Sequence, residues 1–357
     1  MKIKIVTIHC IHNFGSVFQS YGLVKYLCDN GYDAQIIDYQ PSYYRKGRNK
    51  IKKYAAIALN PISYLKQYRK YKCFIKQHLN LTGKTYHDIN ELRELQSEDA
   101  IFIAGGDQIW NSYHPCGRDD AYKLQFVNGK AKMAYGTSMG RNTFKEDELS
   151  ILATKINDFI SIGLREQSTV KMFQPYTSRP IYHAADPVLL LTQKDYMRFI
   201  GSERLIKEPY LLMYLADSSN LLNQIVEFIA RRRGLKVVHV CGFKKKCNCD
   251  YFLKSTGPED LLNLLYYSDF VISASFHATI FSILLHKQFC TLLPEEGTNT
   301  RIEDALSFFG LEKRIMRNVN DLKYLEYDID FDKADEIRQR FVSASKDILL
   351  SALRTQI

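Results

Sequence analysis

The sequence predicts an α/β protein of two Rossmann-like domains facing a cleft, and three observations lead there. Its 357 residues exceed what one ordinary core organises. Apolar, β-branched runs alternate with helix-patterned segments of ten or more residues, the order expected of parallel strands joined by crossover helices. That alternation runs to about Arg165 and then starts again. A hydrophobic content of 46% with 25% charged residues suits a soluble globular chain.

The first domain is expected over residues 1–170. It opens with a strand at 2–8, a polar turn HCIHNFGS, a helix from Val17 to Asp29 stopped by Asn30-Gly31, and a strand from Asp33 to Asp38. A basic insertion over 41–87 follows. DAIFIAGGDQIWN and KMAYGTSMGRN then each read as an apolar strand running into a glycine-containing turn. The second domain is expected over 171–330. Strands at 210–215 and 235–241 flank a helix from Leu221 to Arg233 that Gly234 ends. A helix over 258–268 carries proline in its first turn. SDFVISASFHATIFSILLHKQF gives a strand at 270–276, a helix at 278–287 and a strand from residue 288, with His277 on the turn between strand and helix. A last helix, 333–353 within the segment 331–357, could close either domain. Two such domains facing each other set their strand-end turns across a common cleft, the B-type glycosyltransferase (GT-B) arrangement.

Net charge is +10, and one segment carries the excess. Residues 41–87 hold nine Lys and three Arg with no Asp or Glu, leaving 37 basic against 39 acidic residues elsewhere. Cations interleaved with Tyr54, Ile57, Leu59, Ile62, Tyr64 and Leu65 suit an anionic membrane surface. A pair of solvated helices is the plainer reading, and nucleic acid is not the expected partner. The eight cysteines follow no disulfide framework, so reduced cytosolic thiols are expected. Cys241, Cys247 and Cys249 lack a clear fourth ligand, which favours a loop with incidental thiols over zinc. His9, His12 and Asn13 break the apolar start before it resembles a signal peptide, and the run 270–285 is too short and polar to span a bilayer. The expectation is a cytoplasmic protein, with 41–87 able to hold it at the inner face of the membrane.

Candidate chemistry gathers on the turns. His277 sits where a strand's carboxyl end meets a helix's amino end, the place α/β folds bind ligands. A core histidine satisfied by a carbonyl is the alternative. In the first half, Asn13, Gly15 and Ser16 follow the first strand, with Gln19 one turn further on. Gly15 permits close approach of backbone to a ligand, and Ser16 could cap the helix. Gly105 and Gly106 permit a tight turn after IFIA, where Asp107 supplies an acceptor and Gln108 a bifunctional amide. Ser138 in YGTSMG, Arg165 with Glu166 at the end of ISIGLRE, and Asn299 with Arg301 complete the set. The chain carries no P-loop lysine motif and no G-x-G-x-x-G after a strand, which disfavours triphosphate hydrolysis and dinucleotide redox. No H-x-x-x-H or carboxylate cluster suggests a catalytic metal.

Taken in order, NFGSVFQSYGL, GGDQIWN, YGTSMG, REQS, ADPVLLL, SASFHATIFS and NTRIEDAL resemble the polysaccharide pyruvyl transferase family over roughly residues 5–310. The strongest match is Ser275-Phe276-His277 leading into Phe281-Ser282. Ala278 stands where glycine is frequent and Gly106 where serine is frequent, and the basic insertion lies outside the pattern. The resemblance implies a GT-B-like fold that uses phosphoenolpyruvate, with no cofactor, to place pyruvate as a cyclic ketal on a sugar of a surface polysaccharide. Such chemistry needs cation clamps for a trianionic donor and an acid able to act as a base. His277 suits the second need, because imidazole is the side chain that can serve as acid and base in turn near neutrality. Arg165 suits the first with a planar, bidentate guanidinium. The implied donor site is Arg165, Ser275, Phe276, His277, Asn299 and Arg301. The implied acceptor site is Asn13, Gly15, Ser16, Gln19, Gly105, Gly106 and Gln108, with Asp107 orienting a sugar hydroxyl or serving as its base. The partners implied are phosphoenolpyruvate and a saccharide acceptor, either free or lipid-diphosphate-linked. Two alternatives are a nucleotide-sugar glycosyltransferase, with Glu295 or Glu296 at the ribose, and a non-catalytic, membrane-associated polysaccharide-binding module.

Overall fold

Parallel strands buried on both faces read as continuous apolar runs, and the middle of the first sheet follows that rule. The computed structural model describes every residue of the chain except 47–59, 146, 216, 241–243, 294–299 and 357. Strand β1 (Lys2–Val6) leads into helix α1 (Phe14–Asp29) and strand β2 (Asp33–Tyr39), and helix α2 (Pro61–His78) precedes β3 (Leu81–Tyr86). Then come β4 (Ala100–Gly105), β5 (Lys132–Thr137), helix α3 (Glu148–Lys155), β6 (Phe159–Leu164), helix α4 (Gln167–Phe173) and β7 (Ile181–His183). All pairings are parallel, in the order β3-β2-β1-β4-β5-β6-β7. Strands β4 and β5 are buried at every position.

The second sheet repeats the scheme. Helix α5 (Gln193–Ile200) precedes β8 (Tyr210–Tyr214), helix α6 (Asn220–Arg233), β9 (Lys236–Val240), β10 (Tyr251–Leu253) and helix α7 (Pro258–Tyr267). Strand β11 (Phe270–Ser273), helix α8 (Phe276–Leu284), β12 (Phe289–Leu292), helix α9 (Thr300–Phe308), β13 (Ile315–Met316) and helix α10 (Asp332–Arg354) follow. The order is β10-β9-β8-β11-β12-β13, again all parallel. Local chemistry sets the helix ends. Ser219 Oγ accepts from Leu222 N at 3.0 Å to start α6, Gly234 at φ +64° stops it, and three arginines sit in its negative last turn.

Two helices begin two or more residues earlier than expected, for the same reason. Asn13 Oδ1 accepts from Ser16 N at 3.1 Å, so Phe14, Gly15 and Ser16 already form the first turn of α1. Ser275 Oγ accepts from Ala278 N at 3.4 Å, so β11 stops at Ser273 and α8 starts at Phe276. His277 is therefore the second residue of the helix rather than part of the turn.

The chain forms two compact units. One comprises Met1–Arg48, Ile75–Leu191 and Gln339–Ile357, the other Asn49–Phe74 and Thr192–Arg338. The first unit thus continues past the expected division at 170, because β7 adds to its sheet beside β6. Helix α2, drawn from sequence into the first domain, packs on the second unit up to Phe74. The Phe74 and Phe199 rings lie 5.3 Å apart, and Gln67 Nε2 donates to Thr256 O at 3.1 Å. The carboxyl-terminal part of α10 belongs to the first unit, where Ser345 Oγ accepts from Ala185 N at 3.0 Å and Phe341 lies 4.4 Å from the His183 ring.

Candidate active site

In open parallel sheets a ligand crevice forms outside the strand carboxyl ends where the strand order reverses direction. In the first unit that point lies between β1 and β4, which register from Lys2 opposite Ala100 to Val6 opposite Ala104. The residues singled out from sequence in this half stand there. Ser16 Oγ donates to Asp107 Oδ2 at 2.6 Å, joining the start of α1 to the turn after β4. Gly106 adopts φ +61°, and a β-carbon on it would lie 1.6 Å from Gln19 Oε1, so a side chain here would be strained and would displace the Gln19 amide. Asp107 itself takes a left-handed φ of 54°, a strained conformation for a residue with a side chain. Gln19 is fully buried and donates from Nε2 to Thr7 Oγ1 at 2.8 Å and Ser20 Oγ at 2.9 Å. Gly15, Ser16, Gln19, Gly105 and Gly106 are buried supports of the two turns, while Asn13 is exposed and Gln108 partly so. Asn111 Nδ2 donates to Gln108 Oε1 at 2.9 Å, and a β-carbon on Gly140 would collide with both side chains.

The next strand ends extend this network. Ser138 N donates to Asp107 O at 2.9 Å, and Ser138 Oγ donates to Glu166 Oε1 at 2.6 Å. Arg165 emerges at the end of β6, as its sequence position implies, yet its side chain is only 1% exposed. Its Nη1 donates to Asp186 Oδ2 at 2.8 Å, and its Nε lies 3.5 Å from Glu166 Oε1. Burial alone would lower the guanidinium pKa, but Asp186, Glu166 and Asp107 outweigh that and raise it. Arg165 is thus held among protein carboxylates.

Sequence reading missed one feature of this unit. Arg141, 2% exposed, is gripped by Glu148 at 2.7 and 2.9 Å and also donates to Ser112 Oγ. Its guanidinium lies 3.9 Å from the Tyr113 ring centroid and 4.4 Å from that of Phe144. Tyr113 is 67% exposed, so one ring face is fixed on a cation and the tyrosine remains open to solvent. Asn111 Oδ1 accepts from Tyr113 N at 3.1 Å, tying this platform to the Gln108 turn. The signal available in the sequence was Trp110-Asn111-Ser112-Tyr113 directly after the GGDQ turn.

The second unit reverses strand order between β8 and β11. Ser273 Oγ donates to Tyr214 O at 2.8 Å and accepts from Ser275 N at 3.0 Å, which folds the chain over the strand end and delivers Ser275 to the helix cap. Thr279 Oγ1 lies 3.1 Å from Thr291 Oγ1, fixing α8 against β12. On the first turn, His277 is 5% exposed and meets Phe276 edge-on at 5.2 Å. Arg301, near the start of α9, sets its guanidinium 5.8 Å from the Phe276 ring centroid. A helix amino end, an imidazole and a guanidinium are thereby gathered around one aromatic ring. That set can bind an anion and move a proton.

The structure therefore brings Asn13, Gly15, Ser16, Gln19, Gly105, Gly106, Asp107, Gln108 and Arg165 together in the first unit. It gathers Ser275, Phe276, His277 and Arg301 in the second. Asn299, Glu295, Glu296 and Cys241 lie outside the described residues. Cys247 packs its sulfur 3.4 Å from Met213 Sδ. Among the described residues, no group of three or more His, Cys, Asp or Glu is placed to hold a metal ion. None of the described helices is long and apolar enough to cross a membrane.

Comparison with known proteins gives the fold and the family. A Listeria monocytogenes protein described as a UDP-N-acetylglucosamine 2-epimerase superposes with a TM-score of 0.60 at 10% identity, covering 99% of this chain and 96% of its own. The UDP-GlcNAc 2-epimerase of Methanocaldococcus jannaschii gives 0.52 at 11% identity, covering 93% and 94%. An α,α-trehalose 6-phosphate synthase of Burkholderia multivorans gives 0.51 at 9% identity, covering 99% and 96%. At such identities the likeness is one of fold, the GT-B type of two parallel-sheet α/β domains. A search among curated proteins by sequence returned no match. The family model for polysaccharide pyruvyl transferases matches residues 13–295, from the cap of α1 through the Ser275-capped start of α8 in the second unit. Spanning both strand-order reversals and most of the sequence, that match means the chain belongs to the polysaccharide pyruvyl transferase family, a family of transferases.

Proposed function

We propose that this chain transfers pyruvate from phosphoenolpyruvate to two hydroxyls of a sugar in a cell-surface polysaccharide or its precursor, forming a cyclic ketal. Family membership supports the pyruvyl group as cargo. The observation that carries the donor assignment is the β11–α8 turn, with buried His277 one residue inside a Ser275-capped helix and Arg301 against Phe276.

The donor's phosphate and carboxylate are bound by the amino end of α8 and by Arg301, both of which favour anions. Protonated His277 gives its proton to the enol carbon, converting CH2 to CH3 and leaving an oxocarbenium-like centre at the adjacent carbon. One sugar hydroxyl adds there. The bond to the phosphate oxygen breaks, and the second hydroxyl closes the ring. Of the two hydroxyl protons released, one leaves with phosphate and the other restores imidazolium. The reaction needs no oxidant and no cofactor.

In the first unit, Asp107 and Gln108 orient acceptor hydroxyls, and the exposed ring of Tyr113 offers an apolar face to a sugar. Ser16, Gln19 and Gly106 hold those groups in place through the contacts described above, and Gly105 is buried beside them. Arg165 is a positioning residue that fixes Glu166 and Asp186, rather than a donor clamp.

Calorimetric titration of the purified protein with phosphoenolpyruvate and with UDP-N-acetylglucosamine tests the donor. Saturable binding of phosphoenolpyruvate, weakened at least tenfold in Arg301→Ala, is expected. Binding of the nucleotide sugar alone would replace this reading with a glycosyltransferase, and binding of neither would remove both donors.

A further inference from the structure

Helix α2 lies outside the chemistry described so far, and it has two unlike faces. Tyr71 and Phe74 are buried against the second unit, helped by Gln67 on Thr256 and by Lys70 on Asp260 at 2.6 Å. The opposite face follows the three- and four-residue spacing of one helical stripe: Ile62, Leu65, Arg69, Lys72 and Lys76. All five are exposed, and Lys66 and Cys73 flank the stripe in the same state. Ile62 is 69%, Leu65 51% and Tyr68 40% exposed, an apolar tip at the amino-terminal end of a cationic helix. The helix contains no Asp or Glu, and Lys66, Arg69, Lys72 and Lys76 meet no carboxylate among the described residues.

We infer that this face of α2 docks on an anionic lipid surface. Four unneutralised cations select a negative partner. Three exposed apolar side chains beside them select one that also offers a hydrocarbon boundary, which a nucleic-acid backbone does not. An exposed stripe of Ile and Leu is unfavourable in water and gains where headgroups meet acyl chains. The inference uses no residue of the active site and stands or falls apart from the donor assignment.

Sedimentation of the full chain with vesicles of phosphatidylcholine plus phosphatidylglycerol, and with phosphatidylcholine alone, tests it. The protein should pellet with the first and not the second, and rising salt should release most of it. The combined substitution Lys66→Glu, Arg69→Glu, Lys72→Glu and Lys76→Glu should weaken partitioning by about a hundredfold or more, with an unchanged thermal midpoint and phosphoenolpyruvate affinity. A Leu65→Trp reporter should shift its emission to the blue on the anionic vesicles. Three results would overturn the proposal: no pelleting of the wild type, equal pelleting of the charge-reversed variant, or loss of a dimer in Ile62→Ser/Leu65→Ser with vesicle binding untouched. The last would make the face an interface between copies of this chain.

Discussion

At the scale of single residues, His277 and Arg165 illustrate how far side-chain chemistry can be inferred before its surroundings are known. The sequence indicated that an imidazole interrupts an apolar run where strand gives way to helix, and the structure sets it one residue into α8 at 5% exposure. His277→Gln keeps most of the volume and removes the acid. Phosphate release from phosphoenolpyruvate with an accepting glycoside should fall on the order of a hundredfold or more while donor binding persists. Turnover within a few fold of wild type would take the proton transfer away from His277. Arg165 was legible as a strand-end guanidinium, but its partners Asp186 and Glu166 are 21 and one residues away in sequence and became apparent only from the fold. Arg165→Met strands two buried carboxylates and should destabilise the protein by about 3–5 kcal/mol. Chemical denaturation measures the loss, and phosphoenolpyruvate affinity in the folded fraction should stay within a few fold. Intact stability with lost donor affinity would restore Arg165 as a direct clamp.

Elements show what periodicity reveals and what it conceals. The long amphipathic helices and the central strands were legible because burial on one or both faces imposes a period on the sequence. Strands β3, β10 and β13, at or near the sheet edges, were not, since LTGKTY, YFL and IM are too polar or too short to carry one. Helix starts shifted because Asn13 and Ser275 spend their side chains on capping, a role that composition alone does not distinguish from ligand contact. Asn13→Ala and Ser275→Ala should each cost about 1 kcal/mol in denaturant unfolding, and a neutral outcome would deny the capping. At the end of β2, burial pushes the Asp38 carboxyl up, but hydrogen bonds from His9, Thr85 and Gln40 outweigh it and hold the pKa at about 2, below the ordinary 3.8. Stability from this group is therefore full above its unfolded value and is lost as pH falls through the folded one. Asp38→Asn should lower stability by roughly 2 kcal/mol at pH 7, and most of that difference should be gone by about pH 2. A constant difference across that range would contradict the assignment.

For the whole molecule, two parallel sheets were legible from one repeated alternation, but their strand orders became apparent only from the fold, which sets the turns after β1 and β4 and the start of α8 at the two reversals. The division between units was less legible. A short seventh strand extends the first unit to Leu191, and two aromatic residues recruit α2 to the second, neither of which leaves a periodic trace. The central claim is that the second unit's reversal point binds the donor with its enol carbon on His277. The most direct measurement is a crystal structure of the protein with phosphoenolpyruvate. It should show the phosphate or carboxylate at the amino end of α8 and on Arg301, with the methylene carbon within reach of a His277 ring nitrogen. Phosphoenolpyruvate seated elsewhere, or a nucleotide sugar in that position where phosphoenolpyruvate does not bind, would contradict it.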